Sequence, residues 1–507
     1  MILTLDLGSS VTKVALWDPG GLVALAGAPV ATSHPVAGWS EQQPSDWWAS
    51  LVAACTRLRA QVPEAYGSVE VVGCTGARQS FALVDAAAEA LGPAILWSDR
   101  RAACEAEALR RSLGPAGVTA PFGIPLDAAS VPAKIAWLAT HEPARLEASV
   151  WILAPRDLVA WWLTGTVATD ATMAWRSGLY DDSGRVVGEL SGPAGGRLAP
   201  VFPSDQVTGQ VVGPAADQLG LAAGTPVAIG AGDRPCEVLG SGADESCPMA
   251  SWGTTANVSL PVAARPDRAP SGLVVSRAAT GGWLLEGGLS AAGSLLSWFG
   301  ELTGRAPEEL ATLAGTSPPG ARGVVATSWL DGARAPWWHD DARAALVGMS
   351  SSHGPADLAR AVFESVAWDL QRCLEAMAGR HPEGPGVSAL ALGGAGATIA
   401  VWLDVLCGIT GLPAVVRRSG QAASAGAALL AAAAVGIPCD PEHLDPVVRR
   451  TDVDAVVAGR YLGQREAADR VAASVIGLTD SPDAAPDAPQ DAVPDAPPDG
   501  SLGTPCA

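Results

Sequence analysis

Ile2-Leu3-Thr4-Leu5-Asp6 is an apolar, strand-like run that breaks into Gly8-Ser9-Ser10-Val11-Thr12-Lys13 and resumes as Val14-Ala15-Leu16-Trp17. The pattern returns in mid-chain. Met249-Ala250-Ser251-Trp252 breaks into Gly253-Thr254-Thr255-Ala256-Asn257 and resumes as Val258-Ser259-Leu260. Each stretch predicts a hairpin with a tight turn of Gly and small hydroxyl residues. Such a turn offers backbone N–H groups and hydroxyls to an anion, with no bulky side chain in the way. One turn of this kind is ordinary punctuation. Two, one opening each half of the chain, predict two similar domains gripping one polyphosphate, which is the plan of an ATP-dependent phosphotransferase.

The rest of the composition fits that plan. A chain of 507 residues with 48% hydrophobic content suits two α/β domains and a tail. The apolar run Ala425–Val435 is too short to span a bilayer, and the apolar N-terminus meets Asp6 with no basic segment before it, so no signal peptide is expected. Nine Cys lack a C-x-x-C pair and six His lack an H-E-x-x-H, which points away from zinc or a disulfide framework and toward a reduced, cytoplasmic protein. The net charge of −20 argues against nucleic acid or an anionic membrane as partner. Six Asp of that excess fall in the Pro-Asp-Ala tail from Asp480 to Asp499, expected to be disordered. Lys occurs only at positions 13 and 134, the first of them inside the leading hairpin.

Short strands and amphipathic helices alternate along the chain, as in layered α/β domains. Val69–Cys74, Phe81–Val84, Ala94–Trp97 and Val227–Ile229 read as strands, and Ala356–Met377, Ile399–Ile409 and Gln421–Val435 as helices. Leu289–Leu302 is also read as a helix. After the strand at Val227, Gly230-Ala231-Gly232-Asp233 leads into a helix start at Arg234-Pro235. Asp233 there has two readings. It is a helix cap, or it is a carboxylate at the strand end where α/β folds place ligands, able to take a proton from an attacking hydroxyl.

The ordered set of motifs resembles the FGGY carbohydrate kinases over about Ile2 to Ala473. DLGSSVTK at Asp6, GWSEQQPSDWW at Gly38, ILWSDRR at Ile95, GAGD at Gly230, SWGTT at Ser251, LDGARAPWWHDDARAALVGM at Leu330, GGAGATIAVW at Gly393 and QAASAGAALLAA at Gln421 each have their counterpart in that family, in this order. The pieces are most like those of xylulose kinases. The resemblance implies a two-domain actin-like ATPase (ribonuclease H-like) α/β fold with an interdomain catalytic cleft. The expected domains are residues 1–241 and 242–478, followed by a tail at 479–507, with closure about a hinge near Gly240–Asp244.

It also implies roles. Asp233 would be the catalytic base, which now outweighs the capping reading. Asp6 and Asp233 would face hydrated Mg²⁺, and Gly8, Ser9, Ser10 and Lys13 would contact the phosphates of ATP from one side, with Gly253, Thr254 and Thr255 from the other. Gly394, Ala395 and Gly396 would line the adenosine site, and Arg78, Gln79, Asp99, Asp233 and Arg234 the substrate site. For the glycines tight packing is the competing reading, and for the arginines a salt bridge. The implied substrate is a small sugar phosphorylated on a hydroxyl, a ketopentose such as xylulose. The alternatives are a glycerol, polyol or acidic-sugar kinase of the same family, or a non-catalytic sugar-sensing ATPase. A homodimer is left open. Two departures concern the substrate: Ala77-Arg78-Gln79-Ser80 is closer to the Gln-Arg-Glu-Thr of glycerol kinases than to the Gln-Met-His-Gly of xylulose kinases, and Arg234 replaces the usual Asn or Gln.

Overall fold

A computed structural model describes residues 1–119, 126–267, 269, 272–378 and 386–479, so the acidic tail lies outside the described residues. Both hairpins form. Ile2–Leu7 pairs with Val11–Asp18, and Met249–Trp252 pairs with Ala256–Val262. Each hairpin is the centre of its own sheet, and the two sheets repeat one plan. In the first, of six strands, the order is Val207–Gln210, Pro226–Gly232, Val71–Gly76, Ile2–Leu7, Val11–Asp18 and Gly21–Pro29. In the second, of seven, it is Val447–Thr451, Ala414–Arg417, Leu390–Gly393, Met249–Trp252, Ala256–Val262, Trp283–Leu289 and Val274–Arg277. In both, the first strand of the hairpin has a parallel neighbour on its outer side, and an antiparallel strand ends that edge. The expected two-lobed actin-like layout is the one observed.

Helices cover the sheets where the apolar periodicity predicts them: Pro355–Ala378, Ala400–Thr410 and Ala422–Val435. The segment read as a helix from Leu289 differs. Trp283–Leu289 is a strand and the helix is Gly293–Thr303, because Trp283-Leu284-Leu285 supplies a β ladder before the glycine break. No helix among the described residues is long and apolar enough to cross a membrane.

The helix Ala422–Val435 comes late in the chain, yet it packs on the first sheet. Its Ser424 Oγ meets Thr4 Oγ1 at 2.6 Å and accepts from Trp17 Nε1 at 2.9 Å. Its alanines join Ile2, Ala15, Trp17, Val71 and Ala228 in one apolar cluster. It also crosses the helix Asp233–Ser241 at backbone contact. A Cβ on Gly426 would stand 1.9 Å from the Cys236 carbonyl oxygen, and one on Gly240 1.9 Å from that of Ala422. Gly426→Ala is therefore expected to lower the thermal midpoint by several degrees, a cost of about 1–3 kcal/mol from overpacking, although Ala is the better helix former by about 1 kcal/mol. An unchanged midpoint in differential scanning calorimetry would refute this close crossing.

Candidate active site

Asp6 at the end of the first strand lies close enough to Asp233 and Glu237 to feel their charges, and Glu237 accepts from Ser251 Oγ of the second hairpin. In the first turn Gly8 is required, since a Cβ there would lie 2.8 Å from the Val11 carbonyl oxygen. Ser9 is held from two sides: its carbonyl accepts from Gln42 Nε2 at 2.6 Å and its hydroxyl from Trp97 Nε1 at 2.9 Å. The Ser9 hydroxyl keeps its proton for an outside acceptor. Ser10 and Lys13 are exposed, and Lys13 stands opposite Asp6 in the ladder, with its ammonium 3.5 Å from Gln421 Oε1.

In the second turn Gly253, Thr254 and Thr255 are exposed. The turn is anchored to the next helix by Ala292 N and Ser294 N, both donating to the Thr254 carbonyl at 3.0 Å. Gly253, Thr254 and Gly396 line one open pocket of about 730 Å³, together with Trp298, Glu301 and Trp402. The structure thus brings the second hairpin turn and Gly396 to one pocket. Gly394 and Gly396 also answer to packing: a Cβ on Gly394 would stand 2.1 Å from the Trp252 carbonyl oxygen, and one on Gly396 2.7 Å from the Trp252 side chain. Ala395 opens the short turn Ala395–Thr398 between them and the next helix.

Asp233 is delivered by a distorted strand. Between Ala228 and Ala231 the pairing with Val71–Gly76 shifts register, and Gly230 at that point has φ of 72°. A Cβ there would lie 1.7 Å from the Cys74 carbonyl oxygen, so only glycine fits this bulge, which re-aims the chain. Below it the fully buried Arg156 donates from Nη1 to the Gly230 carbonyl at 2.9 Å and to Asp170 Oδ1 at 2.8 Å. The cap of the helix Asp233–Ser241 is Gly232, not Asp233. Asp233 Oδ1 accepts from Arg234 N at 2.7 Å and from Arg78 Nε at 3.2 Å, while the side chain is 45% exposed. It is a fixed carboxylate that still faces the cleft.

Arg78 and Arg234 part company. Arg78 spans the lobes, with Nη1 and Nη2 donating to Glu286 Oε1 and Oε2 at 2.8 and 2.9 Å. Burial works against charge on both partners, but their attraction wins. Arg78 is held above its ordinary pKa by Glu286 and Asp233, and Glu286 is held down at about 2 by Arg78. Arg234 instead donates to Glu237 Oε2 at 2.5 Å, and Glu237 accepts from Ser251 Oγ of the second hairpin. It braces the helix against that strand.

Asp99 is taken up by its own segment. It is fully buried, and it accepts from Ser40 N, Arg101 N, Arg101 Nε and Arg101 Nη2 between 2.6 and 3.0 Å. Its acceptor sites are spent on holding the GWSEQQ segment. Gln79, at φ of 65°, borders a small cavity of about 50 Å³ with Met173, Ser177 and Tyr180. Glu286, Arg156, Asp170 and Glu237 were not singled out from the sequence. A lone charge in the apolar strand WLLEGGL is the one signal that could have drawn attention to Glu286.

Asp6 is partly buried beside other acids. Burial pushes its carboxyl up to about 6, Lys13 opposes this, and the charges of Asp233 and Glu237 add to it. Among the described residues no group of three His, Cys, Asp or Glu could hold a metal ion. The donor set fits Mg²⁺ only as that ion is commonly held, by one or two carboxylates with water and substrate phosphates completing the shell. Because the folded pKa of Asp6 is raised, its charged form weakens the nucleotide-free fold as pH rises from about 4 through 6. Asp6→Asn is expected to raise the thermal midpoint of that form by a few degrees at pH 7.5, to leave it unchanged at pH 4, and to abolish turnover. A lower midpoint at pH 7.5 would show that Asp6 is stabilising instead.

Residues 1–240 match the N-terminal domain of the FGGY family of carbohydrate kinases, and residues 249–435 match its C-terminal domain. The xylulose kinase of Klebsiella pneumoniae is 31% identical over 494 residues, covering 93% of this chain and 98% of that one. The glycerol kinase of Alkalilimnicola ehrlichii is 30% identical over 460 residues, covering 86% and 90%. The crystal structure of xylulose kinase from Rhodospirillum rubrum superposes with a TM-score of 0.85 at 25% identity, covering 94% of this chain and 99% of that one.

Proposed function

We propose, given that the chain belongs to the FGGY family of carbohydrate kinases and is a phosphotransferase with an alcohol group as acceptor, that it moves the γ-phosphate of ATP to a terminal hydroxyl of a small sugar, a ketopentose such as xylulose. The observation that carries this is Asp233, a fixed and half-exposed carboxylate at a strand end between two phosphate-type turns. The ketopentose is supported by the xylulose kinases among the similar proteins.

In this reading residues 1–241 and 242–478 are the two domains. Asp233 takes the proton of the attacking hydroxyl, whose oxygen bonds to the γ-phosphorus as the bond to the β,γ-bridging oxygen breaks and ADP leaves. Arg78 keeps Asp233 aimed through its Nε–H. Backbone N–H groups and hydroxyls at Gly8, Ser9, Ser10, Gly253, Thr254 and Thr255, with the Lys13 ammonium, take up charge on the phosphates, as a loose transition state requires. Asp6 would hold Mg²⁺ through water, and the ion supplies charge neutralisation at the β- and γ-phosphates when bound. Gln79 lies beside Arg78 at the sugar end, and the adenosine lies in the pocket over Gly394, Ala395 and Gly396. ATP as donor suits a cytoplasmic enzyme, although Cys104 is disulfide-bonded.

The test is coupled ADP release with and without D-xylulose. Stimulation of at least 100-fold over the sugar-free rate is expected, and a rate that no sugar or polyol raises would overturn the reading.

A further inference from the structure

Trp97 joins the turn of the first hairpin to the turn that carries Arg78, and the reaction as derived gives it nothing to do. Its indole Nε1 donates to Ser9 Oγ at 2.9 Å. Its backbone N donates to Ser80 Oγ at 2.9 Å, and Ser80 is buried two residues beyond Arg78. One residue thus touches both turns.

The chain just before Trp97 is pinned from several sides. Leu96 N donates to the Ser40 carbonyl at 3.0 Å, and the Leu96 carbonyl accepts from Asp99 N at 3.1 Å. The same carbonyl accepts from Lys134 Nζ at 2.7 Å. Lys134 is fully buried, and a buried ammonium is costly unless it is hydrogen-bonded; its bond goes to the residue that precedes Trp97. The ring itself meets the other lobe, with the Arg334 guanidinium 6.0 Å from its centre, at the outer limit of a cation–π contact. Backbone and ring are both fixed before any ligand enters.

What the indole fixes is a proton. A serine hydroxyl has one O–H donor and two acceptor lone pairs, whereas an indole N–H can only donate. Trp97 therefore takes a lone pair of Ser9 Oγ and cannot take its proton. A water or a carboxylate in the same place could accept that proton and turn it inward. The Ser9 carbonyl is held separately by Gln42 Nε2 at 2.6 Å, so the residue does not rotate as a whole. Ser9 is partly exposed, and its O–H is left for an oxygen from outside the protein.

We propose that Trp97 is a positioning residue for phosphoryl transfer: its indole N–H turns the Ser9 hydroxyl toward the phosphates and holds it there before ATP arrives. The inference rests on the kinase reading, in which Ser9 meets a phosphate oxygen, and adds the group that aims it. A donor already aimed needs no reorientation as charge moves onto the phosphate oxygens, so its effect falls on kcat more than on binding. The test is a double-mutant cycle of Trp97→Phe and Ser9→Ala, read by ADP release on the sugar or polyol that stimulates the parent most. Phe keeps an aromatic face and loses the N–H.

Ser9→Ala is expected to lower kcat roughly 10–100-fold, the loss of a hydrogen bond to a charged group. Trp97→Phe is expected to lower it roughly 3–10-fold, the range of a neutral hydrogen bond, with the KM of the sugar within about twofold of the parent. On the Ser9→Ala background the same Trp97→Phe change should alter kcat by less than about twofold, because no hydroxyl is left to aim. Should Trp97→Phe fail to fold, benzothienylalanine at position 97, with the indole's shape and sulfur in place of the N–H, is read the same way. A kcat that Trp97→Phe leaves unchanged overturns the proposal, as does an equal loss on both backgrounds or a loss confined to the KM of the sugar. Each of these leaves the kinase reading standing. No stimulation of the parent by any sugar or polyol overturns both.

Discussion

Asp233→Asn is expected to lower kcat by about 10²–10⁴-fold, the usual cost of losing a general base, with the KM for ATP within a few-fold of the parent. The amide keeps an oxygen where Oδ1 accepts from Arg234 N and Arg78 Nε, so the helix start and the Arg78 geometry survive. What it cannot do is take the proton of the attacking hydroxyl. The pocket lined by Gly253, Thr254 and Gly396, where the adenosine is proposed to lie, involves neither bond. Steady-state kinetics on the accepted sugar decide the matter, and near-parental kcat would remove Asp233 from the role.

Arg78→Ala combines loss of activity with loss of stability. Glu286 is only 4% exposed and Arg78 10%, so truncation strands a carboxylate in the cleft wall. Breaking a buried pair in this way costs about 3–5 kcal/mol. The pH dependence has a definite sign. In the parent, Glu286 is held at about 2, below its ordinary value of about 4.3, so the pair's contribution is complete above that value and is lost as pH falls through about 2. Without Arg78 the stranded carboxyl protonates early. The stability gap between parent and variant should therefore be widest near neutral pH and narrow below about pH 4. A double replacement of Arg78 and Glu286 by Met, similar in bulk and uncharged, should recover much of the stability while leaving turnover severely reduced, because Asp233 has still lost its partner. Calorimetry from pH 3 to 8 with parallel kinetics checks both. A gap that does not change with pH would mean that the ion pair is not what Arg78 contributes.

What could be read from the sequence was whatever is encoded locally. The hairpins were legible because strand, turn and strand are contiguous and the turns need small residues. Asp233 was legible because Gly230-Ala231-Gly232 marks a backbone that must bend. Arg78 was found, but not what it does, since Glu286 lies 208 residues further on and one charge in an apolar strand announces burial without naming a partner. Asp99 stood out because W-S-D-R reads as a site, but that Arg101 two residues later takes its acceptors was not legible. Arg234 stood out in the sequence, but its pairing with Glu237 three residues on did not.

The helix Ala422–Val435 gives the chain a history as well as a shape. It roofs a sheet whose last strand, Pro226–Gly232, leaves the ribosome almost two hundred residues earlier. At about 5–20 residues per second, that interval lasts roughly ten to forty seconds. Throughout it Ile2, Ala15, Trp17, Val71 and Ala228 have no native cover, and the Trp17 indole and Thr4 hydroxyl wait for Ser424. The first half is thus committed early and completed last. A nascent chain stalled before Ala422 exposes an apolar sheet face that chaperones would recognise, and the two halves made as separate polypeptides would each lack part of the other's core.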